Sequence, residues 1–143
     1  MLKYNLANWA TRAGCKFEAP REGDVGYDLH SAEAITLFPG EQRTITTGLK
    51  LQLDSGYVGI VNDRSSLALK QIYTHVGIID PSYRGYINVL LANHSQAPFH
   101  IEPGHRIAQL IILPFVRPEP VHVVPERLEQ SLRGEGNFGS TGI

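Results

Sequence analysis

The run LKLQLDSGYVGIVN, residues 49–62, decides the fold class. Leu49, Leu51 and Leu53 alternate with polar residues, the period of a strand that turns one face to a core. Asp54-Ser55-Gly56 then supplies turn chemistry, and Tyr57–Asn62 resumes with β-branched residues. The same grammar recurs along the chain. Residues 86–92 (YINVLLA), 106–113 (RIAQLIIL) and 120–124 (PVHVV) read as further strands, and Pro39-Gly40 and Glu102-Pro103-Gly104 as further turns. Many short strands joined by turns indicate an all-β sandwich or barrel, such as a jelly roll. One segment departs from the pattern: SSLALKQ, residues 65–71, reads as a short helix with serines at its start. The last eleven residues, RGEGNFGSTGI, carry four glycines and almost no apolar side chains, so they cannot form a core strand. No internal repeat is visible.

The chain has 143 residues and is 42% apolar, which suits one domain with one core. A formal net charge of −1 gives no electrostatic footprint for nucleic acid, and no basic cluster marks a membrane surface. Cys15 is the only cysteine, so no intrachain disulfide can form, which fits a reducing compartment. The N-terminal MLKYNLANWATRAGCK lacks the apolar core of a signal peptide, and no run reaches the length of a membrane span. The expectation is a cytoplasmic protein.

Common catalytic arrangements are missing. His30, His75, His94, His100, His105 and His122 are scattered, with no HExxH pair and no cysteine pair beside them, and read as surface histidines. No GxSxG elbow is present, and Cys15 reads as structural. Three features remain. Asp63-Arg64-Ser65-Ser66 enters the short helix, where free N–H groups, a guanidinium and hydroxyls favour an anion; an ordinary N-cap beside a surface arginine has the same sequence. The tail offers Arg133, Ser140 and Thr141 as phosphate donors and Phe138 as a lone aromatic able to stack on a base, though a disordered tail is equally compatible. It resembles a P-loop only superficially, because the Gly-Lys-Ser/Thr ending is absent. Asp80 follows an apolar strand and precedes a Pro-Ser turn, so it can cap that turn or act as a general base.

Five segments taken together carry a resemblance. VGYDLHSA (25–32), DRSSLA (63–68), VGIIDPSYRG (76–85), GHRIAQLII (104–112) and RGEGNFGSTG (133–142) resemble, in order and spacing, the signature motifs of the trimeric dUTPase family. The resemblance implies a distorted jelly roll, the dUTPase-like β-clip, over residues 1–132. It also implies a flexible glycine-rich arm, 133–143, that closes over a neighbouring subunit's site. The implied reaction is Mg²⁺-dependent hydrolysis of dUTP to dUMP and pyrophosphate. That reaction limits uracil incorporation into DNA and supplies dUMP for dTMP synthesis. By the same resemblance Asp80 activates the water, and Tyr83 packs on the deoxyribose and excludes a 2′-hydroxyl. The backbone from Thr74 to Ile79, with Gly77 and Ile78, reads the uracil edge, and Asn88 is a further substrate contact. Arg64, Ser65, Ser66 and Gln109 hold phosphates; Arg133, Ser140 and Thr141 clamp the γ-phosphate with Gly139 beside them, and Phe138 stacks on uracil. Asp28 supports the metal-and-water network, and Mg²⁺ sits on the phosphates and waters with no direct protein ligand. The implied partners are dUTP and two further copies of the chain in a homotrimer with shared sites, without nucleic acid or membrane. A virus-encoded member would work in the host cytoplasm or nucleus.

Two positions depart from the family pattern. Asp63 stands where Pro or Gly is usual, and is expected to point away from the phosphates; Asn137 stands where Gly is usual, and tolerates positive φ next best. Two rival readings share the fold. A dCTP deaminase places a glutamate on the strand after its third motif, whereas residues 86–93 here contain none. A regulatory dUTPase-like protein would bind protein partners and use nucleotide as a switch.

Overall fold

The computed structural model describes residues 2–75, 77–131 and 134. Its strands are β1 (Leu2–Leu6), β2 (Tyr27–His30), β3 (Ile35–Leu37), β4 (Gln42–Thr46), β5 (Leu49–Leu53), β6 (Tyr57–Asn62), β7 (Ile72–His75), β8 (Ile78–Ile79), β9 (Asn88–Asn93), β10 (Phe99–Ile101) and β11 (Arg106–Pro114). Among the described residues helical turns are confined to α1 (Asn8–Arg12), α2 (Ser65–Ala68) and a 3₁₀ turn at Pro125–Arg127. Every strand pair is antiparallel: β1 with β5, β3 with β10, the sheet β2-β11-β6-β8 and the sheet β4-β9-β7. The fold is all-β and jelly-roll-like, as the strand grammar implied.

The 49–62 run behaves as its alternation requires. Leu49, Leu51 and Leu53 are buried while Gln52 is exposed. The turn at residues 54–56 is a corner rather than a hairpin, since β5 pairs with β1 and β6 pairs with β11 and β8. Consecutive strands thus enter different sheets, and their inner faces share one core. Leu29, Leu37, Ile45, Ile72, Leu91, Ile101 and Leu110 lie in it from seven different strands.

Three expectations change. Residues 120–124 form no strand: β-branched composition favours an extended chain, but a strand needs a partner, and Val121 and Val124 stay exposed. The helix ends at Ala68 rather than Gln71, because Gln71 adopts φ 59° and turns the chain into β7. The helical turn α1 was not anticipated. It carries no side-chain cap and is held by packing: Ala10 is buried against Gly48, whose φ of 67° and contact with the Ala10 methyl leave no room for a side chain.

Asn93 joins the two halves of the fold at the end of β9. It is 1% exposed, and its Nδ2 donates to the carbonyls of Leu37 and Ala97, each at 2.8 Å. Its Oδ1 accepts from the Ser95 N–H at 2.9 Å and from the Ser95 hydroxyl at 2.7 Å. A buried amide with all these groups satisfied stabilises; the groups it leaves behind when truncated do not. Asn93→Ala is expected to cost about 1–3 kcal/mol, read as a lower urea midpoint with an unchanged slope. An unmoved midpoint would mean that water replaces these bonds without loss.

Candidate active site

Sheet register assembles the first part of the site. Gln109 on β11 lies opposite Asp28 on β2 and opposite Asn62 on β6, and Arg64 follows β6 by two residues. Arg106 lies opposite His30. In a regular strand residues 106 and 109 would face opposite sides of the sheet. A register shift between Arg106 and Ala108 cancels that phase difference, and Ile107 and Ala108 are accordingly both buried, at 1% and 0% exposure. The bulge puts Arg106 on the face of Gln109, Asp28 and His30. Together with Arg64, Ser65 and Ser66 these residues line a cleft of about 900 Å³.

Asp28 organises the cations of the cleft. Its Oδ1 is 3.2 Å from Arg64 Nε and its Oδ2 is 3.3 Å from Arg106 Nη1. One carboxylate therefore holds two guanidiniums side by side. Arg106 belongs to the fourth signature segment, but no role had been given to it, since the bulge that turns it into the cleft is invisible in the residue pattern. The helix α2 is a single turn, too short to add a macrodipole worth naming. What it offers is local: the first bond of the turn is Leu67 N–H to the Arg64 carbonyl at 2.9 Å, so the Ser65 and Ser66 N–H groups precede the helical bonds, beside two exposed hydroxyls.

Asp63 does point away from the cleft. Its Oδ1 accepts from both the N–H and the hydroxyl of Thr74, which ties β6 to the start of the next arm. Those Thr74 donors are thereby engaged. Gln109 lines the cleft with its Nε2 donating to the Asp63 carbonyl at 2.8 Å, so a phosphate would have to replace that bond to use it.

The second part of the site lies elsewhere on the chain. Residues 72–80 and 86–93 are the arms of a hairpin that is closed at one end and open at the other. The closed end is the ladder from Ile72 opposite Asn93 to His75 opposite Leu90. Beyond it the arms part. Ile78 and Ile79 pair outward with Ile60 and Gly59 of β6, the Ile87 N–H donates to the Leu49 carbonyl, and Asn88 stays on β4 opposite Thr46. The switch occurs at Gly77, whose carbonyl accepts from Val61 N–H at 2.7 Å and where a Cβ would strike the Val61 backbone. Because β8 is the edge of its sheet, its inner backbone edge faces the gap toward Tyr86–Asn88.

Asp80 ends the open arm and is exposed. With Ile79 opposite Gly59, Asp80 falls beside Val58, six residues back along the chain from Arg64. At about 3.3 Å per residue that separation is on the order of 15–20 Å. Asp80 and Tyr83 do not line the Arg64 cleft. Tyr83 folds over its own turn, its hydroxyl donating to the Tyr86 carbonyl at 2.9 Å, while the ring remains 42% exposed. Arg133, Asn137, Phe138, Gly139, Ser140 and Thr141 lie outside the described residues. Cys15 is buried, with Sγ 3.2 Å from the Ser31 carbonyl, and burial pushes its thiol up, as a structural cysteine requires.

His30 is not the surface residue expected of it. It lies on the cleft floor, and its Nδ1 is buried with no hydrogen-bond partner among the described residues. Burial pushes the imidazole below its ordinary 6.5, against the pull of Asp28 and of the Lys16 backbone as a hydrogen-bond partner, and with smaller pushes from Arg106 and Arg64.

The comparisons with known proteins agree with this fold. The family model for dUTPase matches residues 16–142. A deoxyuridine 5'-triphosphate nucleotidohydrolase of Anaeromyxobacter is 45% identical over 90% of this chain and 90% of its own length. One of Cutibacterium acnes is 45% identical over 85% and 81%. A dUTPase of Staphylococcus bacteriophage 80alpha, solved with dUpNHpp, superposes with a TM-score of 0.88 at 29% identity, over 100% of this chain and 99% of that one. A mutant dUTPase from phage phi11 of S. aureus, whose structure concerns a structural Mg(II) ion, gives a TM-score of 0.77 at 27% identity over 86% and 96%. The chain belongs to the dUTPase family, and its reaction is the hydrolysis of dUTP. The enzymatic reading of the sequence holds, ahead of the deaminase and regulatory alternatives.

His30 makes stability depend on pH in a definite direction. Above 6.5 the imidazole is neutral in both folded and unfolded chains. As pH falls below 6.5 the unfolded chain binds a proton that the folded cleft floor resists, so stability drops until the lowered folded value is passed. Thermal melts between about pH 7.5 and pH 5.5 are expected to decline less steeply for His30→Asn than for the natural chain. Parallel curves for the two would remove His30 from the account.

Proposed function

We propose that the chain works as a homotrimer in which the Arg64 cleft of one subunit receives the triphosphate and Asp80 of another supplies the base. One observation carries this reading: the two halves of the chemistry lie on the order of 15–20 Å apart along one chain, too far for a base and a phosphate cradle to serve one phosphorus. A second copy brings the open hairpin to the cleft. The segment after β11 supports the same assembly. Val116, Val121 and Leu128 are at least 66% exposed on a run without strand partners, an apolar surface that a neighbouring copy would cover.

In this site the gap between Gly77–Ile79 and Tyr86–Asn88 takes the uracil edge, read by backbone groups of β8 and by Asn88. In this reading the same backbone excludes a C5 methyl. Tyr83 occupies the space that a 2′-hydroxyl needs. Arg64, with the N–H groups and hydroxyls of Ser65 and Ser66, holds phosphate oxygens, and Gln109 joins them on exchanging its bond to Asp63. Asp80 takes a proton from a water aligned with the α-phosphorus. The new P–O bond forms as the bond to the bridging oxygen of the β-phosphate breaks, leaving dUMP and pyrophosphate. Arg133, Ser140 and Thr141 close on the γ-phosphate, Phe138 covers the base, and Gly139 lets the backbone approach. The arm at 133–143 thereby acts as a lid that excludes bulk water.

Charge in the cleft argues for a metal ion held by substrate. Lys16, Arg21, Arg64 and Arg106 line it together with Glu18, Asp24 and Asp28, four cations against three carboxylates, for a triphosphate bearing close to four negative charges. Among the described residues no cluster of three metal-ligating side chains exists, and both Asp28 oxygens are taken by arginines. That donor set fits Mg²⁺ carried on phosphates and waters, with Asp28 supporting the water network. When bound, the ion neutralises phosphate charge and fixes the shape of the chain of phosphates. Among the described residues no helix is long and apolar enough to cross a membrane.

Subunit complementation tests the reading. Arg64→Ala and Asp80→Asn are each expected to lose turnover, the latter by about 10²–10⁴-fold with nucleotide binding kept. Mixed and allowed to exchange subunits in equal amounts, they should regain activity at about one site in four, where an intact Arg64 meets an intact Asp80 from a neighbour. A mixture as inactive as its parts would place the whole site within one chain. Separately, Tyr83→Ala is expected to lower the dUTP/UTP ratio of kcat/KM; an unchanged ratio would remove Tyr83 as the sugar gate.

A further inference from the structure

The closed half of the hairpin carries a second cluster, outside the Arg64 cleft. Gln71, Tyr73 and His75 alternate onto one face, and His94 N–H donates to the Gln71 carbonyl at 2.9 Å, which starts His94 four residues away from His75 along the ladder. The His94 ring covers that distance by leaning over Tyr73, with ring centroids 5.6 Å apart and edge-to-face. It ends with its Nε2 3.4 Å from His75 Nε2, the ring planes 62° apart. Both histidines are exposed. Scattered in sequence, they converge only because β7 and β9 pair.

We infer that His75 and His94 form a two-imidazole site for Zn²⁺. Two nitrogens each about 2.0–2.1 Å from one tetrahedral zinc lie about 3.4 Å apart, the separation the two rings already have. A right-angled, square-planar site at those bond lengths would need about 2.9 Å, so the spacing favours tetrahedral zinc over planar copper. As they stand, one ring donates to the other. A zinc ion replaces that single shared proton by two lone pairs, which the exposed rings reach by turning about χ2. Mg²⁺, which demands oxygen ligands, has no claim on the pair. Among the described residues no third side chain completes the set, so water fills the remaining positions and a chelator strips the ion readily. A bound zinc clasps the end of β7 to the chain leaving β9 and braces the closed half of the hairpin.

Calorimetric titration of the full-length protein with Zn²⁺, in excess Mg²⁺ and without nucleotide, tests this independently of turnover and of how subunits share the catalytic site. One zinc per chain is expected, with affinity at least ten-fold weaker in His94→Gln and in His75→Gln. His100→Gln serves as control, since that ring is occupied by the Thr36 hydroxyl at 2.8 Å, and should bind like the natural chain. Absence of zinc binding would overturn the assignment. So would a His75 or His94 variant that binds zinc as tightly as the natural chain, loss of binding in the His100 control, or competition by Mg²⁺.

Discussion

The site depends on one extra residue in β11. The bulge between Arg106 and Ala108 changes which side chains of that strand face the cleft and which face the core. Without it, Arg106 would share the buried face of Ala108 and Leu110, where a guanidinium without a partner is untenable. With it, both Ile107 and Ala108 are buried and Arg106 meets Asp28. The same register places Asp28 against Gln109, and Gln109 against Asn62, two residues before Arg64. Packing and chemistry are thus solved by one local irregularity, and neither can shift without the other.

The strand after α2 does comparable work by division. Residues 72–75 belong to one sheet and residues 78–79 to another. A strand that stayed in the sheet of β4, β9 and β7 would have kept its β9-facing edge paired and left no gap there for a ligand. Divided at Gly77, it closes a ladder at one end and opens a gap at the other. The cost is an edge strand with an exposed carboxylate beside it, a surface that is incomplete in one chain. The Arg64 cleft is incomplete in the opposite sense, since Asp80, the base proposed for the reaction, does not line it. Two incomplete surfaces on opposite ends of β6 are what the proposed shared site requires of each copy.

Much of this was legible in the residues. The alternation of Leu49, Leu51 and Leu53 and the β-branched runs gave the strand class because side-chain period reports directly on burial. The grouping of Arg64, Ser65 and Ser66 survived because all three are local to one turn. What escaped was long-range or phase-dependent. The turn at residues 54–56 looks the same whether it makes a hairpin or a corner, and only the partners of β5 and β6 decide. Residues 120–124 have strand propensity but no partner within the described chain. Arg106 was passed over because strand periodicity opposes it to Gln109, and His75 and His94 because nineteen residues separate them. Asp63 was placed correctly by electrostatics alone: a carboxylate facing the phosphates would have repelled them, and it turned to Thr74 instead.

The Asp28 clamp has one more consequence for how substrate is received. Two guanidiniums brought close together repel, and in an empty cleft that repulsion must be met by an anion. Asp28 is that anion, holding Arg64 at Nε and Arg106 at Nη1. Its hold on Arg64 leaves the terminal amino groups of that side chain in place, one of them reaching the Arg106 carbonyl only at a long 3.4 Å. A bond that long is weak and easily exchanged for a charge-assisted one to a phosphate oxygen. In the proposed site the arginine is therefore aimed before substrate arrives, and the group it would give up on binding is the poorest of its partners. Orientation is settled by the carboxylate, while the weak bond to a backbone carbonyl keeps the donor occupied without making it expensive to release.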